Sequence, residues 1–278
     1  PPQTPEGQLS QEEFAQLAAF ANSVFARDNI TIGAGLGLIP SYEGSDNYTL
    51  FPAPQIRGSV SGYQFSSPGG GPGLAVDLVK DAPLSKTEII AGPLVRVNLN
   101  RAIASQINDP VVEALGDLDT AIEVGGQFGV RLNGITGRFD NITLQTNISY
   151  DVAGAHSGFI ISPSVTYSKP IKNFVLLSVT ASLDWVDGNY ADFYYGIDAA
   201  GALASGLDEF DAGSGVKSVS LTSFAAFDLN GNALDGGFAL FALGGYSRLR
   251  ESAAATPITS VRGDPNQFIA ALGVGYTF

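Results

Sequence analysis

Residues 267–278 read QFIAALGVGYTF, and they alternate. Phe268, Ala270, Leu272, Val274, Tyr276 and Phe278 share one face; Gln267, Ile269, Ala271, Gly273, Gly275 and Thr277 share the other. A period of two belongs to a β-strand, whose successive side chains leave opposite sides of the sheet. The apolar face carries the aromatics, and the opposite face is mostly small or weakly polar.

The pattern recurs upstream. Ile30, Ile32, Ala34, Leu36 and Leu38 oppose Thr31 and three glycines. Ile122, Val124, Phe128, Val130 and Leu132 oppose Glu123, Gln127 and Arg131. Ile142, Leu144, Ile148 and Tyr150 oppose Asn141, Thr143, Gln145, Asn147 and Ser149. Phe159 to Ser168 and Val175 to Trp185 continue in the same way. A soluble antiparallel sandwich also alternates. These runs are about twice the ~5–6 residues of an average strand. Aromatics also gather near the run ends (Tyr150, Phe159, Tyr167, Phe174, Trp185, Tyr246, Tyr276), where membrane-interface girdles sit. Apolar outside and polar inside is the arrangement of a closed barrel in lipid, where every backbone group must pair around the ring.

Composition is consistent with this. The chain has 278 residues, 15% of them charged, and 34 glycines. A net charge of −13 argues against a nucleic-acid partner, which calls for basic patches. The absence of Cys removes disulfides, thiolate metal sites and a Cys nucleophile. No run approaches the ~18 apolar residues of a spanning helix, but barrel strands need only ~9–11. The opening PPQTPEGQLS lacks the basic and apolar regions of a secretory signal, so such a signal is expected to have been removed.

Residues 1–9 read as a Pro-rich lead and 10–27 as a helix, with Ser10 and Glu13 as a capping box. Phe14, Leu17, Ala21, Val24 and Phe25 fall on one helical face. Its polar face is not basic, so packing on the barrel mouth or on a partner is expected rather than a membrane-surface anchor. The expected division is a periplasmic N-terminal arm over 1–28 and an outer-membrane barrel over 29–278.

Links alternate in length. Long ones span 101–119, 188–212 and 251–266, with a tighter GAHSG at 154–158; short ones are 81–85, 134–138, 170–173 and 230–233. Short turns belong to the periplasmic side and long loops to the outside. Strands are expected at 29–40, 50–60, 62–68, 71–80, 86–100, 120–134, 139–153, 159–169, 173–187, 214–229, 234–250 and 267–278. The turn at Ser61–Gly62 is placed to give the even number that single-chain bacterial barrels normally have. The predicted fold class is therefore all-β: a transmembrane antiparallel up-and-down β-barrel of about 12 strands with a short N-terminal helix. The last strand closes against the first, and Tyr276 and Phe278 resemble the C-terminal signal by which such barrels reach the barrel assembly machinery.

On the polar faces, Arg57, Arg96 and Arg131 accompany Asp77, Glu88, Glu123, Asp151 and Asp184. As lumen-facing charges they have two readings. Pairs brace a narrow interior, or a cationic side opposing an anionic side forms a selective constriction.

Chemistry is sparse. His156, Ser157 and Asp151 invite an esterase reading, but neighbours in a tight turn are poorly placed to share a proton. A turn histidine capped by backbone groups is the alternative. One His and no Cys argue against a transition-metal site, and no cofactor is expected. Asp187, Asp192, Asp198, Asp208, Glu209 and Asp211 suggest a solvated acidic loop or one bridged by divalent ions to lipopolysaccharide; EF-hand spacing is absent. The Arg-Gly-Asp tripeptide at 262–264 is a match that chance readily supplies.

Several segments, in order, resemble the MipA/OmpV family of outer-membrane proteins: GAGLGLIPSYEGSDNY (33–48) around Pro40, Tyr42, Gly44 and Ser45; PAPQIRG (52–58); GAHSG (154–158); YYGID (194–198); and YSRLRESAAATPIT (246–259) with the final strand. The resemblance begins near residue 29 and excludes the arm. It implies a barrel in the lipid and lipopolysaccharide of a Gram-negative outer membrane. The family takes its name from a scaffold joining a murein-degrading transglycosylase to a murein synthase, while other members are treated simply as outer-membrane or adhesion proteins. It offers no family-wide catalytic residues to carry over. The expected function is a non-catalytic envelope scaffold for murein-processing enzymes. The alternatives are a narrow porin-like diffusion channel and, third, a lipid-modifying enzyme centred on His156.

Overall fold

The computed structural model describes residues 18, 21–68, 72–82, 85–137, 139–171 and 174–278. Its strands are β1 (Asn29–Pro40), β2 (Tyr48–Pro52), β3 (Gln55–Val60), β4 (Tyr63–Ser66), β5 (Gly73–Asp77), β6 (Thr87–Asn98) and β7 (Ala121–Asn133). They continue as β8 (Asn141–Asp151), β9 (Phe159–Ile171), β10 (Val175–Val186), β11 (Gly215–Asp228), β12 (Gly237–Leu249) and β13 (Asn266–Thr277).

All pairings are antiparallel, and β13 meets β1 from Thr31–Thr277 to Leu38–Ala270, which closes the ring. β2 and β3 both pair with β1 in one register, Leu36 opposite Pro52 and Gly33 opposite Gln55. They are one strand broken at Ala53–Pro54, next to two prolines that have no N–H to donate. The 13 segments thus make a closed barrel of 12 strands, as expected. Ser61 (φ 54°) and Gly62 (φ 82°) are both left-handed, as a primed two-residue hairpin turn requires, so the turn inferred from parity is present.

The alternation sorts the side chains. Ile32, Leu36, Leu50, Phe128 and Leu272 point outward and are more than half exposed, part of an apolar belt far larger than a soluble surface tolerates. Aromatic pairs border it. Tyr150–Phe159 (4.7 Å) and Tyr246–Phe268 (5.2 Å) mark the external rim. Phe238–Tyr276 and Tyr276–Phe278 (both 4.7 Å) mark the rim of the short turns, the side that barrels of this kind turn to the periplasm. Inside, the Phe241 ring occupies the space a side chain at Gly273 would need, so glycine is required there.

The buried apolar clusters lie at the external end and are built largely from loops. One joins Tyr190, Tyr194 and Tyr195 to Ile160, Val186 and Leu249; the other gathers Tyr42, Ile107, Val112, Ile197 and Ile258. The 188–212 segment is thus not simply a solvated acidic loop. It contains helices Gly188–Tyr195 and Ala199–Ser205, whose N-caps Asp187 and Asp198 accept from Tyr190 N (3.0 Å) and Gly201 N (2.7 Å). Asp208, Glu209 and Asp211 do remain exposed.

The expected helix over 10–27 falls largely outside the described residues. Its described end is a tight helical turn, Val24–Ala26, where Val24 N donates to Leu234 O (2.8 Å) in the periplasmic β11–β12 turn.

Candidate functional site

Beneath the loop helices lies a buried polar layer. Arg96 on β6 and Glu123 on β7 are register partners. Arg96 donates from Nε (2.8 Å) and also from Nη2. Asn98 Nδ2 (3.2 Å) and Ser149 Oγ (3.4 Å) donate to the same fully buried carboxylate. A buried carboxylate is tolerated when its lone pairs are so occupied.

His156 completes this layer. Its Nδ1 accepts from Gly158 N (3.0 Å), so the neutral ring carries its proton on Nε2, 3.5 Å from Glu123 Oε1. The ring packs edge-on against Tyr190 with centroids 4.8 Å apart. Ser157 is exposed with φ 47°, outside this layer. Asp151 accepts from the backbone N–H of Ala153 (2.9 Å), His156 (2.9 Å) and Ser157 (3.0 Å), and so shapes the turn. The trio brings no nucleophile to a base. The histidine is backbone-capped, as one reading had it, but it also reaches into the barrel.

Lys217 escaped the sequence reading because strand parity sends it outward. The β10–β11 register shifts between Asp184–Ser218 and Trp185–Val216, leaving Lys217 as the extra residue of a β-bulge that turns it inward. Its Nζ reaches Glu43 Oε1 (2.7 Å) and Asp184 Oδ2 (3.4 Å). Tyr195 donates to the other Glu43 oxygen (2.5 Å), and Asn100 Oδ1 accepts from Glu43 N (2.9 Å). The first external loop, residues 41–47 between β1 and β2, is thereby tied to β11 and to the end of β6.

Burial pushes the Tyr42 phenol up to about 12, and raises those of Tyr190, Tyr194 and Tyr195 still further, so all four are neutral donors or packing groups. Burial also pushes Arg101 down to about 10; its guanidinium donates to Gly116 O (3.1 Å) and binds the 101–119 loop from within.

The other expected lumen charges fall into place by register. Arg131 pairs with Glu88 (2.7 Å), and Asn133 donates to the same carboxylate (2.8 Å). Asp77 accepts from Val79 N (3.0 Å) and Ala91 N (3.1 Å). Asp184 also accepts from Ser162 (2.6 Å). Arg57 on β3 has no carboxylate partner among the described residues. Arg262 of the Arg-Gly-Asp tripeptide is held by Asp109 (2.7 Å). No three His, Asp or Glu side chains converge on a metal position among the described residues.

Toward the periplasm the lumen changes character. Ser168–Ser178 (2.8 Å) and Thr166–Thr180 (2.9 Å) form a half-buried hydroxyl ladder. The interior is thus packed and ion-paired at its outer end and accessible to water further in.

A closed antiparallel barrel with an apolar outer belt, aromatic girdles and a polar lumen is a transmembrane barrel of the bacterial outer-membrane class. The chain matches the family described as MltA-interacting protein MipA over residues 32–278, and belongs to it. No curated protein sequence matches it. Among solved structures it is similar to the COG4313 outer membrane channel from Pseudomonas putida F1, at 10% identity, 91% coverage of this chain and 96% of that one, and a TM-score of 0.41. The outer-membrane expressed OmpT of Vibrio cholerae gives 7%, 90%, 97% and 0.38. The CymD monoaromatic hydrocarbon channel gives 10%, 91%, 89% and 0.37.

Proposed function

We propose that this outer-membrane barrel is a sealed, non-catalytic envelope scaffold whose periplasmic side holds murein-processing enzymes. One observation carries the reading: the external mouth is filled by Tyr190, Tyr194 and Tyr195, each about 1% exposed or less, over the Lys217–Glu43 and Arg96–Glu123 pairs. A through-pore needs a hydrated path, and this packing opposes one. The family's description names MltA as a partner, which supports a murein transglycosylase as the protein held. The arm over residues 1–28 and the short periplasmic turns are the surfaces available to it. Lipid and lipopolysaccharide surround the belt, and Tyr276 with Phe278 serve the barrel assembly machinery.

The diffusion-channel reading keeps one support, the water-accessible inner lumen, and requires the Gly188–Tyr195 helix to leave the mouth. Planar-bilayer recording decides between them, combined with retention of a purified murein transglycosylase by the immobilised barrel. The scaffold reading expects silence and retention, with retention lost on deleting residues 1–27 if the arm is the docking element. Steady openings without retention would overturn it in favour of a channel.

A further inference from the structure

Among the described residues, Arg57 stands apart from the other lumen-facing cations of the strands. Arg96, Arg131 and Lys217 each have a carboxylate, and Asp77 and Asp151 are held by backbone N–H groups. Arg57 faces inward from β3 with no acidic group and no side-chain hydrogen bond among the described residues.

Its surroundings are donor-rich and uncharged. Arg57 lies directly across from Thr31 on β1 and from Ser66 on β4. Directly opposed residues in a ladder share a face, so both hydroxyls lie on its lumen side. Gln55 and Ser59, two positions away along the strand, share that face as well. Thr31 bonds to Thr277 (2.8 Å), which places the group beside the periplasmic rim. Ser66 is exposed and Arg57 half-buried, so the group is open to water. Arginine stays charged at all relevant pH and presents a planar fork of five donors that matches a carboxylate or phosphate. Among the described residues no side chain offers that fork an anion.

We propose that Arg57, flanked by Thr31 and Ser66, is a binding site for the oxyanion of a periplasmic solute, a carboxylate or a phosphate. The site goes beyond the scaffold reading and stands without it.

The test uses the full chain refolded in micelles with isotope-labelled arginine. It is titrated with inorganic phosphate and, separately, with acetate, ionic strength being held constant with sodium chloride. The Arg57 Nε–Hε signal, assigned by its loss in Arg57→Lys, should move saturably in at least one titration, while Arg96 and Arg131, already paired, stay in place. Which anion acts distinguishes a phosphate from a carboxylate ligand. By calorimetry, Arg57→Gln should weaken binding at least about tenfold, with Arg57→Lys intermediate because it keeps the charge and loses the fork. A stationary Arg57 signal, a parallel drift of all three arginines, or unchanged affinity in Arg57→Gln would overturn the proposal. The first readout follows the unaltered chain, and only its assignment calls on a variant, the charge-conserving Arg57→Lys.

Discussion

Lys217 Nζ lies 2.7 Å from Glu43 Oε1 across 174 positions of sequence. The contact joins the wall to the first external loop, and Asp184 stands 3.4 Å away on the other side of the ammonium. Replacing Lys217 with Met leaves two carboxylates without their cation, and should destabilise the barrel by about 3–5 kcal/mol. Urea unfolding in lipid vesicles measures this. Lys217→Met combined with Glu43→Gln should lose less than the sum of the two single changes. Strict additivity would show that the pair does not act as a unit.

On the sealed-barrel reading, the tyrosine helix is the closure. Tyr190→Ala together with Tyr194→Ala removes two rings whose centroids lie 4.7 Å apart. Planar-bilayer recordings should then show openings that the unaltered chain lacks. Continued silence would mean that other groups seal the lumen.

On the non-catalytic reading His156 is a packing and orienting group, so His156→Ala should lower stability by about 2–4 kcal/mol through the lost ring contacts and the unpaired Gly158 N–H. A thermal melt tests the first point, and hydrolysis of a short-chain ester tests the second. An ester hydrolysis present in the unaltered chain and absent in His156→Ala would restore the enzymatic reading.

Asp140 closes a periplasmic turn outside the membrane span. Burial alone would raise its carboxyl, but donation from Thr136 and Tyr167 and from the backbone of Thr136 and Gly137 holds it well below the usual carboxylate range. A depressed folded value gives stability that is fully present above the unfolded value of about 4 and is lost as pH falls through the folded one. The melting temperature of the unaltered chain should therefore be flat with respect to this group down to about pH 4 and fall below it. Asp140→Asn should cost about 1–3 kcal/mol at neutral pH and flatten the acid limb. Identical acid limbs in the two proteins would remove Asp140 as the cause.

For Tyr276 and Phe278 the expected result concerns delivery. Phe278→Ala should lower the fraction of chain recovered as a heat-modifiable barrel in the outer membrane, with little effect on spontaneous refolding in detergent. Equal loss in both settings would make the residue a packing group only.

What the sequence disclosed follows from how local each signal is. The alternation of residues 267–278 and the turn at Ser61–Gly62 depend on neighbouring residues and were legible. The inward aim of Lys217 was not, because one extra residue in β11 inverts the parity and only the pairing with β10 reveals it. The acidic residues of 188–212 drew attention as a charge cluster, while their neighbours Tyr190, Tyr194 and Tyr195 held the structural content. Asp187 three positions before Tyr190 was a readable cap signal. The contact of His156 with Glu123 joins strands separated by a loop, and no local pattern encodes it.

The Thr31–Thr277 hydroxyl pair spans 246 positions, and this imposes an order in time. The free edge of β1 cannot be satisfied until β13 has been synthesised and delivered. An open strand edge is adhesive, and contacts so distant in sequence form slowly. For nearly the whole life of the nascent chain its first strand must therefore be shielded from other chains. The last hydrogen bonds of the ring act as a latch, separating an aggregation-prone precursor from a finished barrel.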